Sequence, residues 1–153
     1  MGSQPHDHLM SKRRSSALVV GTDDWAADQT VGALRRGNMV VLRCHEPGEP
    51  VFPCNAFIDG RTCPLDAGFD VVVTVRARSS RIIEPGEIGV ICALRTGHPL
   101  VVAGVTADSP FAGLATKEVE EGGDAVKACY DAIRADSDPE TDTPLIDLRP
   151  AEV

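Results

Sequence analysis

Four short apolar runs set the rhythm of this chain: residues 17–20, 39–42, 71–75 and 100–105. The first, Ala-Leu-Val-Val, ends at Gly21 and gives way to Thr22, Asp23 and Asp24. Beyond them Ala27, Val31 and Leu34 recur at i, i+4 and i+7, the period of a helix with one buried stripe. Gly37 suits a left-handed cap at its end, and the second run follows at once. Residues 16–43 thus predict a strand–helix–strand unit, whose crossover is right-handed and whose strands are parallel. Uniformly apolar strands are expected where both faces of a sheet are covered.

The later runs repeat the scheme. Four valines predict a strand over residues 69–75, followed by Arg76, Arg78 and Arg81 around a Ser-Ser pair. Glu84 and Pro85 open a helix, proline being favoured in the first turn. Ile88, Ile91 and Cys92 are expected on its buried face, with Gly97 closing it. A fourth strand over residues 100–105 leads to a break at Asp108, Ser109 and Pro110, then to a short helix within 111–121. Asp124 caps a last helix in which Ala125, Cys129, Ala132 and Ile133 align. The pattern predicts an α/β fold: a three-layer, open, mainly parallel sheet of four or five strands with flanking helices.

Residues 44–68 form an insertion rich in Cys, Pro and Gly. Asp59-Gly60 signals a tight turn, with hairpin arms at 54–58 and 61–63. In that register Cys54 and Cys63 sit diagonally, about 7–8 Å apart, too far for an unstrained disulfide. Residues 1–15 lack a hydrophobic period and read as a disordered tail. Residues 136–153 turn acidic and proline-rich and read the same way, apart from an apolar island at 144–148. A single domain at 16–135 remains.

Composition refines this picture. Aromatics make up only 4% of the 153 residues, so the core must rest on Val, Leu, Ile and Ala. The net charge of −8 is uneven: three basic residues against one acid at 1–16, and six acids against Arg149 at 136–153. Such a balance argues against a nucleic-acid partner. No run approaches the roughly 20 apolar residues that span a bilayer, and the amino-terminal stretch has no signal-like apolar region. A cytoplasmic protein with reduced cysteines is expected, the odd count of five fitting poorly with a secreted disulfide framework.

Candidate chemistry gathers in two places. In sheets of this kind ligands sit beyond the carboxyl ends of the strands. That places Thr22, Asp23 and Asp24 near Arg76, Arg78 and Arg81, beside the start of the helix after Glu84. Guanidinium forks and free helical N–H groups suit a phosphate or carboxylate, although pairing of the arginines with Asp23, Asp24 or Glu84 at the surface is the plainer explanation. An acidic pair such as Asp23 and Asp24 also suits Mg²⁺. The second place is the insertion, where Cys44, His45, Cys54 and Cys63 offer soft ligands for zinc. Their wide intervals lack the close Cys-x-x-Cys pair of most structural zinc sites, and free cysteines often serve as small buried hydrophobes. A thiol of Cys54 or Cys63 activated by His45 or His98 is the corresponding catalytic reading. His6 and His8 form a further His-Asp-His candidate in the tail. Gly21-Thr-Asp-Asp matches neither a dinucleotide fingerprint nor a P-loop.

Asp23 and Asp24 after the first strand, the run FDVVVTV at 69–75, the helix at 84–96 and the strand at 100–104 together resemble bacterial response-regulator receiver domains of flavodoxin-like build. The resemblance covers roughly residues 16–110. It implies Mg²⁺ held by the acidic pair and phosphoryl transfer to an aspartate at the end of the third strand. Only Asp23 and Asp24 carry across. Val75 occupies the acceptor position, the family's hydroxyl falls near Gly104 with Thr106 close by, and Lys117 is the one later lysine near the expected place. The insertion is foreign to receivers. What the resemblance implies is therefore a degenerate, non-catalytic receiver-like domain that binds a protein partner or small anionic ligand through its strand-end loops. A homodimer is compatible with this reading. The alternatives are a thiol- or zinc-dependent protein and a small nucleotide-dependent enzyme.

Overall fold

The computed structural model describes residues 12–21, 24–50, 54, 56, 60 and 62–138. In chain order the elements are β1 (Ser16–Gly21), α1 (Asp24–Arg36), β2 (Val40–Arg43), α2 (Pro64–Ala67), β3 (Val71–Arg76), a 3-10 turn (Pro85–Glu87) running into α3 (Ile88–Leu94), β4 (Leu100–Gly104), β5 (Lys117–Glu120) and α4 (Ala125–Ser137). All strand pairs are parallel and the order is β2-β1-β3-β4-β5. The chain therefore winds first to one side of β1 and then to the other, one of the two common orders of doubly wound sheets.

Alternation along each strand divides the core into two layers. Ala17 and Val19 of β1, Val71, Val73 and Val75 of β3, and Val101 and Ala103 of β4 face α1 and α4. Ala27, Val31 and Leu34 of α1 and Ala128, Cys129 and Ala132 of α4 meet them. The intervening residues Leu18, Val20, Val72, Leu100 and Val102 face the opposite layer, where Val90 and Ala93 of α3 join Phe69 and Phe111. Burying each of these valines and leucines stabilises by about 1.5–3 kcal/mol, so the central strands carry most of the folding energy. Register is pinned by both layers: Ala17 pairs with Val71 and Val72 with Leu100, and a one-residue slip would exchange the two cores.

Several local expectations are corrected. Residues 117–120 form an edge strand, not part of a helix, and pair with β4 from Val101 opposite Lys117 to Gly104 opposite Glu120. Only Val119 of the four is apolar, and it packs on the α1/α4 core. In α3 the buried side carries Gly89, Val90 and Ala93, whereas Ile88, Ile91 and Cys92 face outward. The reason lies one turn earlier. Glu87 is fully buried and sets the helix phase, so positions three and six residues on point inward. At the end of α1 the left-handed residue is Asn38, with φ 64, rather than Gly37. Gly37 is small for another reason: a Cβ there would lie 2.5 Å from Cγ1 of Val126 in α4, and Tyr130 donates to its carbonyl at 2.8 Å. Gly97 does take the left-handed cap, with φ 77.

The arms of the expected hairpin fall largely outside the described residues, as do His6, His8 and the apolar island at 144–148. Residues 12–15 are described, and Arg13 donates to Asp70, which also accepts from the Ser16 amide at 2.8 Å. No helix among the described residues is long and apolar enough to cross a membrane.

Candidate functional site

A cleft of about 340 Å³ opens where the carboxyl ends of β3, β4 and β5 meet the first turns of α1 and α4. Val75, Ala103 and Val119 form its apolar floor, continuous with the α1/α4 core. Trp25, 70% exposed, stands at its edge together with Gln29 and Thr30 of α1. Glu120 and Glu121 lie on the other side, before the Gly122-Gly123 turn into α4. Gly104 is required here. Its φ is 89, and a Cβ would sit 2.3 Å from the Arg76 carbonyl oxygen. That close approach lets the Val105 amide donate to the same oxygen at 2.8 Å and draws β3 and β4 together beneath the cleft.

The three arginines do not line this cleft with their guanidinium groups. Arg76 is the last residue of β3, and alternation sends its side chain to the opposite face of the sheet, beside the α3 layer. There it is 2% exposed, with Nε 3.1 Å from Oε1 of fully buried Glu87 and Nη2 donating to the Ser80 carbonyl at 2.9 Å. Its Nη1 is buried without a protein partner. Glu87 also accepts from the Glu84 amide at 3.0 Å and stands 3.5 Å from the Thr74 hydroxyl. The pair thus ties β3, the loop after it and the turn into α3 into one polar cluster. Arg78 is paired at the surface with Glu84 at 2.8 Å, which holds its guanidinium still more firmly protonated. Arg81 is paired with Asp108 at 3.2 Å, also exposed. All three therefore face carboxylates. Thr22 and Asp23 lie outside the described residues, and Asp24 is described only as the first residue of α1.

The cysteines are arranged differently from the expected quartet. Cys44 directly follows β2 and packs against the α3 layer. A Cβ at Gly89 would lie 2.7 Å from its sulfur, so the missing side chain there makes room for the thiol. Burial, and then the neighbouring Cys63, Cys54 and Cys92, push the Cys44 thiol up to about 12. Cys44 and Cys54 line a cavity of about 120 Å³ with Thr62 and Pro64, the residues either side of Cys63. His45 instead faces a smaller cavity of about 40 Å³ at the carboxyl end of β1, and its Nε2 is buried without a protein partner. Among the described residues no three His, Cys, Asp or Glu side chains lie close enough to share one metal ion. His98, the other candidate base, stacks on Phe69 at 4.0 Å and bonds through Nδ1 the Thr96 hydroxyl, which itself donates to the Ala93 carbonyl at the end of α3.

Sequence reasoning missed Trp25, Glu120 and Glu121, which line the cleft. The first had a signal: it is the one tryptophan of the chain, placed in the polar first turn of a helix just beyond a strand end. Glu120 and Glu121 had none, because the strand that ends at Glu120 carries a single apolar residue. No protein-family model matches the chain, and no curated protein matches it.

Proposed function

We propose that this chain is a non-catalytic, receiver-like regulatory domain that binds a small ligand in the cleft beyond β3, β4 and β5. The observation that carries the reading is the cleft itself: about 340 Å³ at the carboxyl edge of a doubly wound sheet, with Trp25 exposed at its rim. This size falls within the range of small-molecule sites, and its position is where such sheets bind ligands. Val75, buried in the floor, stands where a receiver carries its phosphoacceptor, and valine can neither take phosphate nor hold metal.

The side chains around the cleft favour a neutral or cationic ligand over the anion suggested by the arginines. Arg76, Arg78 and Arg81 are engaged by Glu87, Glu84 and Asp108, while Glu120 and Glu121 offer carboxylates opposite an aromatic face. That combination suits an organic amine. As the sole tryptophan, Trp25 is a built-in reporter. Titration with a panel of amines, nucleotides and divalent cations should give a saturable change in its emission with amines, and Glu120→Gln with Glu121→Gln should weaken it about tenfold. Incubation with acetyl phosphate should leave the protein unmodified. A stable aspartyl phosphate, or emission that no compound alters while the fold is intact, would overturn the reading.

A further inference from the structure

We propose that residues 144–148 of this chain, Pro-Leu-Ile-Asp-Leu, dock on the outward face of α3 against Ile83, Ile88 and Ile91, with their flanking acids near Arg95. Of the seven large hydrophobic side chains exposed among the described residues, five lie on this side of the sheet: Ile82, Ile83, Ile88, Ile91 and Leu114. Leu114 belongs to the loop that Phe111 and Ala115 anchor in the α3 layer. Glu84 and Glu87 form a capping box at the start of the turn into α3, which puts Ile83 and Ile88 at the two positions of a hydrophobic staple. Ile88, Ile91 and Arg95 follow at i, i+3 and i+7, so the apolar stripe runs along the helix and ends at a cation. Ile82 is 75% exposed and the other three isoleucines about 40%. Clustered apolar exposure of this kind marks an interaction surface.

Charge selects the occupant. Arg95 is the only Asp, Glu, Lys or Arg between Ile88 and Ala107, and among the described residues it is in no ion pair. Residues 139–148 carry Glu140, Asp142 and Asp147, no base, and the apolar Leu145, Ile146 and Leu148. They match the face in both respects. A second copy matches it less well, because two such faces brought together oppose Arg95 to Arg95. An anionic membrane is disfavoured by the net charge of −8. The reach also fits. Helices α3 and α4 each follow a parallel strand and return along the sheet, so both end at its amino edge, on opposite faces. Two packed layers, roughly 20 Å, separate those ends. The seven residues from Asp138 to Leu145 span up to about 23 Å when extended. A tether of that length holds the segment at an effective concentration on the order of millimolar, so three apolar side chains and three acids suffice without high intrinsic affinity. The face lies on the α3 side of the sheet and the amine cleft on the α1/α4 side, so failure at one leaves the other untouched.

Cys92 lies one turn beyond Ile88 and is exposed, so its thiol reports on whatever covers the face. In the full chain its alkylation by a maleimide is followed peptide by peptide in mass spectrometry. It should quicken about tenfold when Leu145→Asp and Leu148→Asp are introduced together, with far-ultraviolet circular dichroism unchanged. Mild oxidation of Leu145→Cys should join position 145 to Cys92 within one chain. Equal alkylation rates in the wild type and the double variant would overturn the inference, as would linkage of position 145 to any other cysteine. A disulfide between two chains would give the face to a second copy instead. Co-sedimentation with phosphatidylserine vesicles that Ile88→Asp with Ile91→Asp abolishes would give it to a membrane, and either result refutes docking of the chain's own segment.

Discussion

Replacing Glu87 by Gln is the sharpest probe of how this fold is held. The carboxylate is fully buried, 3.1 Å from Nε of an arginine that is itself 2% exposed. At that separation and an effective dielectric constant of 20 the attraction is about 5 kcal/mol. Gln keeps the shape and can still accept from the Glu84 amide, so the change isolates the charge. It leaves the Arg76 guanidinium buried with only the Ser80 carbonyl as acceptor. Breaking one partner of a buried pair costs about 3–5 kcal/mol. Against a total stability of about 5–15 kcal/mol, that is a large share, and it should lower the melting temperature by about 10 °C. Urea denaturation followed by circular dichroism measures it directly. The double variant Arg76→Met with Glu87→Met removes both charges. It should return to within about 1 kcal/mol of the wild type, because apolar residues of similar volume replace buried pairs well. If Glu87→Gln costs less than about 1 kcal/mol, or the double variant is no better than the single, the pair is hydrated and the argument from burial fails.

Three further outcomes follow from geometry already described. Gly104→Ala should cost about 3 kcal/mol or more, since its φ of 89 and the 2.3 Å approach to the Arg76 carbonyl leave no room for a methyl; an unchanged urea midpoint would refute this. Burial, with Asp124 adding to it, raises the Cys129 thiol from 9.0 to about 12, so the folded state keeps its proton more tightly than the unfolded chain. The stability this provides is intact below pH 9 and is lost as pH climbs from 9 through 12, by about 4 kcal/mol at 1.36 kcal/mol per unit. Urea midpoints measured across that window should fall less steeply in Cys129→Ala. Trp25→Ala should change stability by less than about 0.5 kcal/mol, because the side chain is 70% exposed, while abolishing amine binding measured by calorimetry.

The core of the fold was legible because its strands are uniformly apolar. Residues 17–20, 71–75 and 100–103 read as buried strands, and the i, i+4, i+7 stripe of α1 is buried as its spacing requires. What escaped were elements whose stability comes from neighbours. Strand β5 has one apolar residue and exists because β4 offers it a hydrogen-bonding edge. The phase of α3 is set by Glu87, whose burial depends on Arg76 eleven residues earlier, a pairing no local pattern reveals. Arg76 itself read as a loop residue, yet it completes β3 and turns inward. The candidate site was legible only as a location, the carboxyl edge. Its side chains were not, since Trp25 and Glu120 meet there only through the order in which β1, β3, β4 and β5 lie. The seating of Cys44 against α3 depends on Gly89, a missing side chain rather than a present one.

The two margins of the sheet differ in how they would greet another strand. On β5 the sequence Lys-Glu-Val-Glu exposes all but Val119, and alternating charges of this kind discourage continuation into a neighbouring molecule. Opposite it, β2 reads Val-Val-Leu-Arg, with Val40 37% exposed and the other three residues half-buried. If a peptide or a second copy ever lengthens this sheet, growth begins at β2, next to the cavity lined by Cys44 and Cys54 and away from the cleft beyond β3, β4 and β5.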